Sequence, residues 1–233
     1  MIHTKKIVIN EERLSLYTLA RELEAAATEH AEMLGVGGDV FLPQGITWVL
    51  IKREAIIHSH PVKGQTVTIE TWPGKTRHGF FPRRFRLLDE EGNLLISCAC
   101  QWAIMDIEER TMVTSKEFDL VGIKREGEQK APASKVVFPE LTEMVKRTVQ
   151  PEEIDSNGHL NNANYLNWIE ELIPEDFTVS ELWIEYAREI FAGEEVQIHY
   201  VAVDDALFAT GIAESEDAFR IRLKKKVLND VLD

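Results

Sequence analysis

The sequence predicts an α+β chain built twice on one plan, a helix followed by a run of antiparallel strands. Three observations predict it. An apolar stripe at helical spacing is followed by segments with strand periodicity, and the same succession restarts after residue 141. The halves also share residues at fixed offsets. Trp48, Arg53 and Glu54 match Trp183, Arg188 and Glu189 at 135 positions, and Gly64, Val67 and Ile69 match Gly193, Val196 and Ile198 at 129. The change of offset needs one six-residue deletion in a turn between strands, and the agreement with the element order points to internal duplication. Third, 44% hydrophobic and 28% charged residues over 233 positions match an ordinary globular chain of one to two domains.

The elements follow in order. Met1 to Lys6 leads straight into an alternating segment. Leu16, Leu19, Ala20, Leu23, Ala26, Ala27, Ala31 and Leu34 recur at steps of three and four, an apolar stripe that predicts a helix, and Gly35, Gly37 and Gly38 end it. Residues 46–58 are rich in β-branched and aromatic types, 66–72 alternate, and 78–88 form a third strand pattern. Asp89 to Asn93 reads as a hairpin turn. Leu94 to Met105 is nearly all apolar, as expected of a strand covered on both faces. Residues 122–141 lose periodicity and gather Lys, Arg, Glu, Gly, Gln and Pro, which predicts a linker between domains at 1–121 and 142–233. Beyond it come a strand at 145–149, a helix over 162–173 and strands near 181–190, 195–203, 206–214 and 218–226. A helix laid on a curled antiparallel sheet is the hotdog arrangement, here doubled in one chain. Two such sheets can join edge to edge, which hides two edge strands.

Charge narrows the partners. Twenty-six Lys and Arg against 40 Asp and Glu leave −14, a field that disfavours nucleic acid and anionic lipid. No apolar run approaches the ~20 residues of a membrane span, and no secretory leader is recognisable, so neither nucleic acid nor membrane is expected as a partner. Cys98 and Cys100 are too close along the chain for an ordinary disulfide and lack a second ligand pair for zinc, which fits a reducing, cytoplasmic compartment. They are expected to be packing residues. His30, on the first helix stripe, reads as a core or pocket histidine.

The densest polar cluster is Asp155-Ser-Asn157-Gly-His159-Leu-Asn161-Asn162, between a strand and a helix start. Asn161 or Asn162 fits a helix cap. Asp155, Asn157 and His159 are spaced by two, so an extended loop would aim all three the same way, near a helix end that suits an oxyanion. A metal site has weak support, because no second His is near. With no Gly-rich phosphate loop either, no metal and no cofactor are expected.

Asp155-x-Asn157-x-His159-x-Asn161-Asn162-x-x-Tyr165-x-x-Trp168 resembles the active-site segment of the acyl-acyl carrier protein thioesterases, plastid enzymes and their bacterial relatives. Glu29-His30, Trp48-Val49, Thr71-Trp72, Pro82-Arg83-Arg84 and Trp102 match in order, and Glu185-Tyr186-Ala187-Arg188-Glu189 matches a second segment. The resemblance implies a catalytic set of Asp155, Asn157, His159 and Glu189. Plant members follow the glutamate with cysteine. Ile190 stands here, which excludes a thiol nucleophile at that place. Glu54, the repeat partner of Glu189, has no Asp-x-Asn-x-His before its helix, so one active site per chain is expected, in the second half.

The implied reaction releases a fatty acid and the holo carrier protein. Glu189 is expected to act as general base, with Asn157 holding the water or the carboxylate. His159 would donate to the developing oxyanion, and Asp155 would orient His159. Attack by the carboxylate itself uses the same residues. Trp48 is expected to line an acyl pocket in the first half. Arg83 and Arg84 are expected to bind substrate, one of them docking the acidic carrier beside Lys75, Arg77 and Arg86. A homodimer is compatible with the fold. An acyl-coenzyme A thioesterase and a non-catalytic acyl sensor on the same fold are the alternatives.

Overall fold

A computed structural model describes residues 1–114, 118, 122, 129–133, 135–155 and 157–226. The chain divides into two compact units, Met1–Pro132 and Ala133–Asp233. Of the expected linker 122–141, residues 123–128 and 134 lie outside the described residues, and the others carry no helix or strand.

The first unit holds β1 (His3–Val8), α1 (Leu16–Met33), α2 (Gly38–Phe41), β2 (Ile46–Ile57), β3 (Thr66–Pro73), β4 (Phe80–Leu88), β5 (Leu94–Asp106) and β6 (Met112–Val113). Its strands pair antiparallel in the order β1-β3-β4-β5-β2, with β6 added at the end of β5. Ser15 caps α1, its side chain accepting the Thr18 N–H at 3.1 Å. The helix buries Leu16, Leu19, Ala20, Leu23, Ala26, Ala27, His30 and Ala31, the predicted stripe with His30 added and without Leu34, which is the half-buried C-cap. Ion pairing fixes it on the sheet: Arg53 of β2 donates to Glu24 at 2.8 Å. In β5, Leu95 to Cys100 are all buried, as the apolar run foretold.

The second unit holds β7 (Glu143–Thr148), α3 (Asn162–Glu170), β8 (Val179–Tyr186), β9 (Glu195–Val203), β10 (Ala206–Ala213) and β11 (Glu216–Lys225). The antiparallel order is β7-β9-β10-β11-β8, the same as in the first unit under the repeat correspondence. Tyr165 of α3 sits edge-on to Tyr186 of β8 and Phe219 of β11, with ring centroids 5.3 and 5.0 Å away. The repeat extends to the turns. Gly64 and Gly193 have φ of +83° and +84°, and their N–H groups donate to Ile9 and Val149 carbonyls at 2.8 and 2.9 Å. Only glycine takes that backbone conformation without strain. Each unit is therefore a hotdog, and the chain is an α+β double hotdog.

Two elements are shorter than the sequence suggests. α3 ends at Glu170, because Pro174 biases Ile173 away from helical angles and the chain turns first. The strand expected over 181–190 ends at Tyr186. There the Ala187 and Arg188 N–H groups both turn to the Ala218 carbonyl, and residues 187–190 leave the sheet.

Candidate active site

The loop between β7 and α3 is held at both ends. Gln150 N–H donates to Glu153 Oε2 at 2.8 Å, and the other Glu153 oxygen accepts from Trp168 Nε1 at 2.7 Å, tying the loop entry to α3. Asn161 is the helix cap, its Oδ1 accepting the Ala163 N–H at 2.9 Å. Between these points the chain is a closed turn, not the extended loop that the spacing suggested. Ile154 bridges Leu160, Asp155 N–H donates to the His159 carbonyl at 2.9 Å, and Gly158, at φ +87°, reverses the chain. Asp155 Oδ1 accepts the Asn157 N–H at 2.7 Å, a side-chain turn that aspartate favours. Asp155 and His159 consequently face one another, while Asn157 is exposed at the tip. Ser156 lies outside the described residues.

Glu189 joins them through the backbone. Leu160 N–H donates to the Ile190 carbonyl at 2.7 Å, which draws the 187–190 segment against the turn. His159 then lies between two carboxylates, with Nδ1 3.8 Å from Asp155 Oδ2 and Nε2 3.6 Å from Glu189 Oε1. These distances exceed direct hydrogen bonds, as in many unliganded sites that tighten on substrate binding. The three side chains keep 18% (Asp155), 16% (His159) and 23% (Glu189) of their surface, enough for a substrate to reach them.

Two supporting residues were not singled out from sequence. Arg188 donates to Glu194 and Glu214, each at 3.0 Å, and anchors the segment that carries Glu189. Its place beside Glu189 in the matched Glu-Tyr-Ala-Arg-Glu segment was the available signal. Tyr165 is buried nearby, and its phenol is pushed up by burial first and then by the Glu189 charge.

In the first unit, Trp48 and Arg83 line one cavity of ≈60 Å³ with Ala27, Ala31, Phe81 and Trp102 among its walls. Trp48 Nε1 donates to the Val36 carbonyl at 2.7 Å, and its ring packs on Phe41 and Phe81. The carrier-docking role of Arg83 and Arg84 needs correction. Both are covered, at 7% and 9% exposure, and Arg83 lies under α1 against His30. Arg83 Nη1 donates to His30 Nδ1 at 3.1 Å and Thr71 Oγ1 at 3.2 Å, and Arg84 Nη1 reaches the Arg83 carbonyl at 3.4 Å. Lys75 and Arg77, on the β3–β4 hairpin, are exposed, and Arg86 is half-buried over the Trp72 ring.

His30 is fully buried, and because a guanidinium only donates, its Nδ1 accepts and its proton sits on Nε2. Burial first, then the Arg83 and His3 charges, hold its pKa down to about 4 from the ordinary 6.5. The unfolded chain therefore binds the proton more readily. Stability from this site is complete above pH ~6.5 and is lost as pH falls toward ~4, by about 3 kcal/mol in all. Urea unfolding of wild type and His30→Gln between pH 4 and 7 should show a shallower pH dependence in the variant. Parallel pH profiles would remove His30 as the cause.

Among the described residues no group of three or more His, Cys, Asp or Glu side chains could hold a metal ion, and no helix is long and apolar enough to cross a membrane.

Comparison with known proteins gives a consistent picture. The family model for the acyl-ACP thioesterase N-terminal domain matches residues 2–118, and the model for the C-terminal domain of the same family matches 139–230. A chloroplastic acyl-[acyl-carrier-protein] hydrolase from Cuphea viscosissima is 28% identical over 214 residues, covering 82% of this chain and 51% of the relative. The chloroplastic dodecanoyl-[acyl-carrier-protein] hydrolase of Cinnamomum camphora is 27% identical, covering 75% and 51%. The chain thus spans about half the length of these curated relatives. The crystal structure of an acyl-ACP thioesterase from Bacteroides thetaiotaomicron superposes with a TM-score of 0.88 at 20% identity, over 97% of this chain and 98% of that one. The 12:0-ACP thioesterase of Umbellularia californica gives 0.81 at 20% identity, over 97% of both chains.

Proposed function

The chain belongs to the acyl-ACP thioesterase family, and from that premise we propose that it hydrolyses acyl-acyl carrier protein to a free fatty acid and the holo carrier. The observation that carries this is the imidazole of His159 set between Asp155 and Glu189 on a partly open face of the second unit. Glu189 takes a proton from water as its oxygen attacks the thioester carbonyl. Asp155 and the Leu160 carbonyl face His159 Nδ1–H and keep the ring turned so that Nε2, when it too carries a proton, donates to the oxyanion as charge develops. Collapse of the intermediate expels the carrier's thiolate, a leaving group that needs no strong acid, and the proton from water returns to it. The cavity of the first unit lined by Trp48 and Arg83 is assigned to the end of the aliphatic chain, being too small for its length. Lys75 and Arg77 are the exposed cations assigned to the acidic carrier, in a reducing, cytoplasmic setting.

Carrier-bound and coenzyme A-bound forms of one acyl group, offered side by side, test the substrate. The carrier form should be hydrolysed with the higher kcat/KM, and raising salt should erode that advantage through slower association. Faster hydrolysis of the coenzyme A form would assign the chain to the other substrate.

No thiol takes part. Cys98 and Cys100 are buried and form no disulfide, with sulfurs 3.9 Å apart at hydrogen-bond range on β5. Cys98→Ala and Cys100→Ser should each cost roughly 1 kcal/mol of stability or less and leave turnover intact. Stoichiometric inactivation by a thiol alkylating agent under native conditions would contradict this.

A further inference from the structure

The first-unit cavity holds a charge that hydrolysis does not use. Its walls are mostly apolar, formed by Ala27 and Ala31 of α1 with Trp48, Phe81 and Trp102 of the sheet, yet Thr28 and the charged Arg83 line it too. The two groups that accept from Arg83, His30 Nδ1 and Thr71 Oγ1, are neutral. Among the described residues no carboxylate lies within ion-pair distance of Arg83. The contrast lies one residue across the sheet. Arg53 and Arg83 are both in register with Cys100, on neighbouring strands, and Arg53 has Glu24 at 2.8 Å. Burial lowers Arg83 to about 10, offset in part by the negative charge of the Cys100 sulfur when that is ionised, so it remains a cation at neutral pH. A second donor is unused: Trp102 Nε1 is buried without a hydrogen-bond partner among the described residues. A buried cation without a carboxylate partner and a buried N–H without an acceptor are both costly, and the two residues line one cavity, where an anionic oxygen group would serve them.

We infer that this cavity binds the carboxylate end of an aliphatic chain, with Arg83 as its counter-ion and the Trp102 N–H as a second donor. The volume of ≈60 Å³ suits the end of a chain, not its length. The inference rests on the proposed thioesterase activity for where such a chain comes from. The carboxylate is either the distal group of an ω-carboxyacyl thioester or the head group of a released acid.

Titration calorimetry of the intact protein with octanoate and with 1-octanol, which differ only at the head, tests the carboxylate directly. Octanoate should bind at least tenfold more tightly, and Arg83→Gln should abolish the difference. Trp102→Phe, a milder change that keeps the charge, should reduce it severalfold, so the test survives if Arg83→Gln does not fold. Equal binding of the two probes, or a preference unchanged in a folded variant, would overturn the inference. Two further arms locate the source. Higher kcat/KM for 7-carboxyheptanoyl than for octanoyl N-acetylcysteamine assigns the carboxylate to the substrate. Competitive inhibition of octanoyl thioester hydrolysis by octanoate assigns it to the released acid. If neither thioester is hydrolysed but octanoate is still preferred, the thioesterase proposal falls and the carboxylate site stands.

Discussion

Glu189→Gln is expected to lower thioester turnover by about a hundredfold or more, the range for loss of a general base, with the unfolding temperature unchanged. The substitution keeps the shape and removes only the charge that faces His159 Nε2 at 3.6 Å. The segment carrying it is fixed independently, by Arg188 on Glu194 and Glu214 and by the Leu160–Ile190 hydrogen bond, so little rearrangement should follow. The loss should fall on kcat, since a base acts in the transition state and not in substrate binding. Steady-state kinetics on an acyl carrier protein and on a carrier-free thioester should show the same loss. Turnover within a few-fold of wild type would remove Glu189 from the chemistry.

Asp155→Asn should cost roughly tenfold to a hundredfold in kcat, again with little change in KM. Asp155 has two tasks on two oxygens. Oδ1 accepts the Asn157 N–H and shapes the turn, while Oδ2 faces His159 Nδ1 at 3.8 Å. Asparagine can keep the first contact and loses the charge of the second. Asp155→Ala loses both and should in addition destabilise the protein by about 1 kcal/mol. Urea unfolding beside kinetics separates the two tasks. If Asp155→Asn lowers stability and spares kcat, the residue shapes the turn and does not serve His159.

The features read best from sequence were those with long periodicity. α1 has five turns of apolar stripe, and β5 a long apolar run, so packing left a clear imprint on both. The duplication was legible because glycines at positive φ, such as Gly64 and Gly193, admit few replacements. Boundaries failed where tertiary bonds decide them. Nothing local in Ala187-Arg188 announces that both N–H groups turn to one carbonyl of a distant strand, and that departure carries Glu189 off the sheet. The four-residue α2 is too short for a periodic signal.

In the candidate site, sequence selected Asp155, His159 and Glu189, which the fold brings together, and also Asn157, which it leaves at the tip. The period-two argument assumed extended backbone, and Gly158 with the Asp155 side-chain turn breaks that assumption. The run of cations from Lys75 to Arg86 and the match to the family's paired arginines point to carrier docking by one of Arg83 and Arg84, yet both are buried. Arg83 is covered because α1 packs on that face through His30, a tertiary contact that sequence spacing does not show.

The most direct test of the account is to incubate the purified protein with acyl-acyl carrier protein and follow the carrier and the released acid together by mass spectrometry. Wild type should convert the acyl carrier to the holo carrier and an equal amount of free fatty acid, and Glu189→Gln should leave the acyl carrier almost entirely intact over the same period. Wild-type protein that binds the acyl carrier and releases no acid, or a Glu189→Gln variant that releases it at the wild-type rate, would contradict the assignment of a hydrolytic site to Asp155, His159 and Glu189.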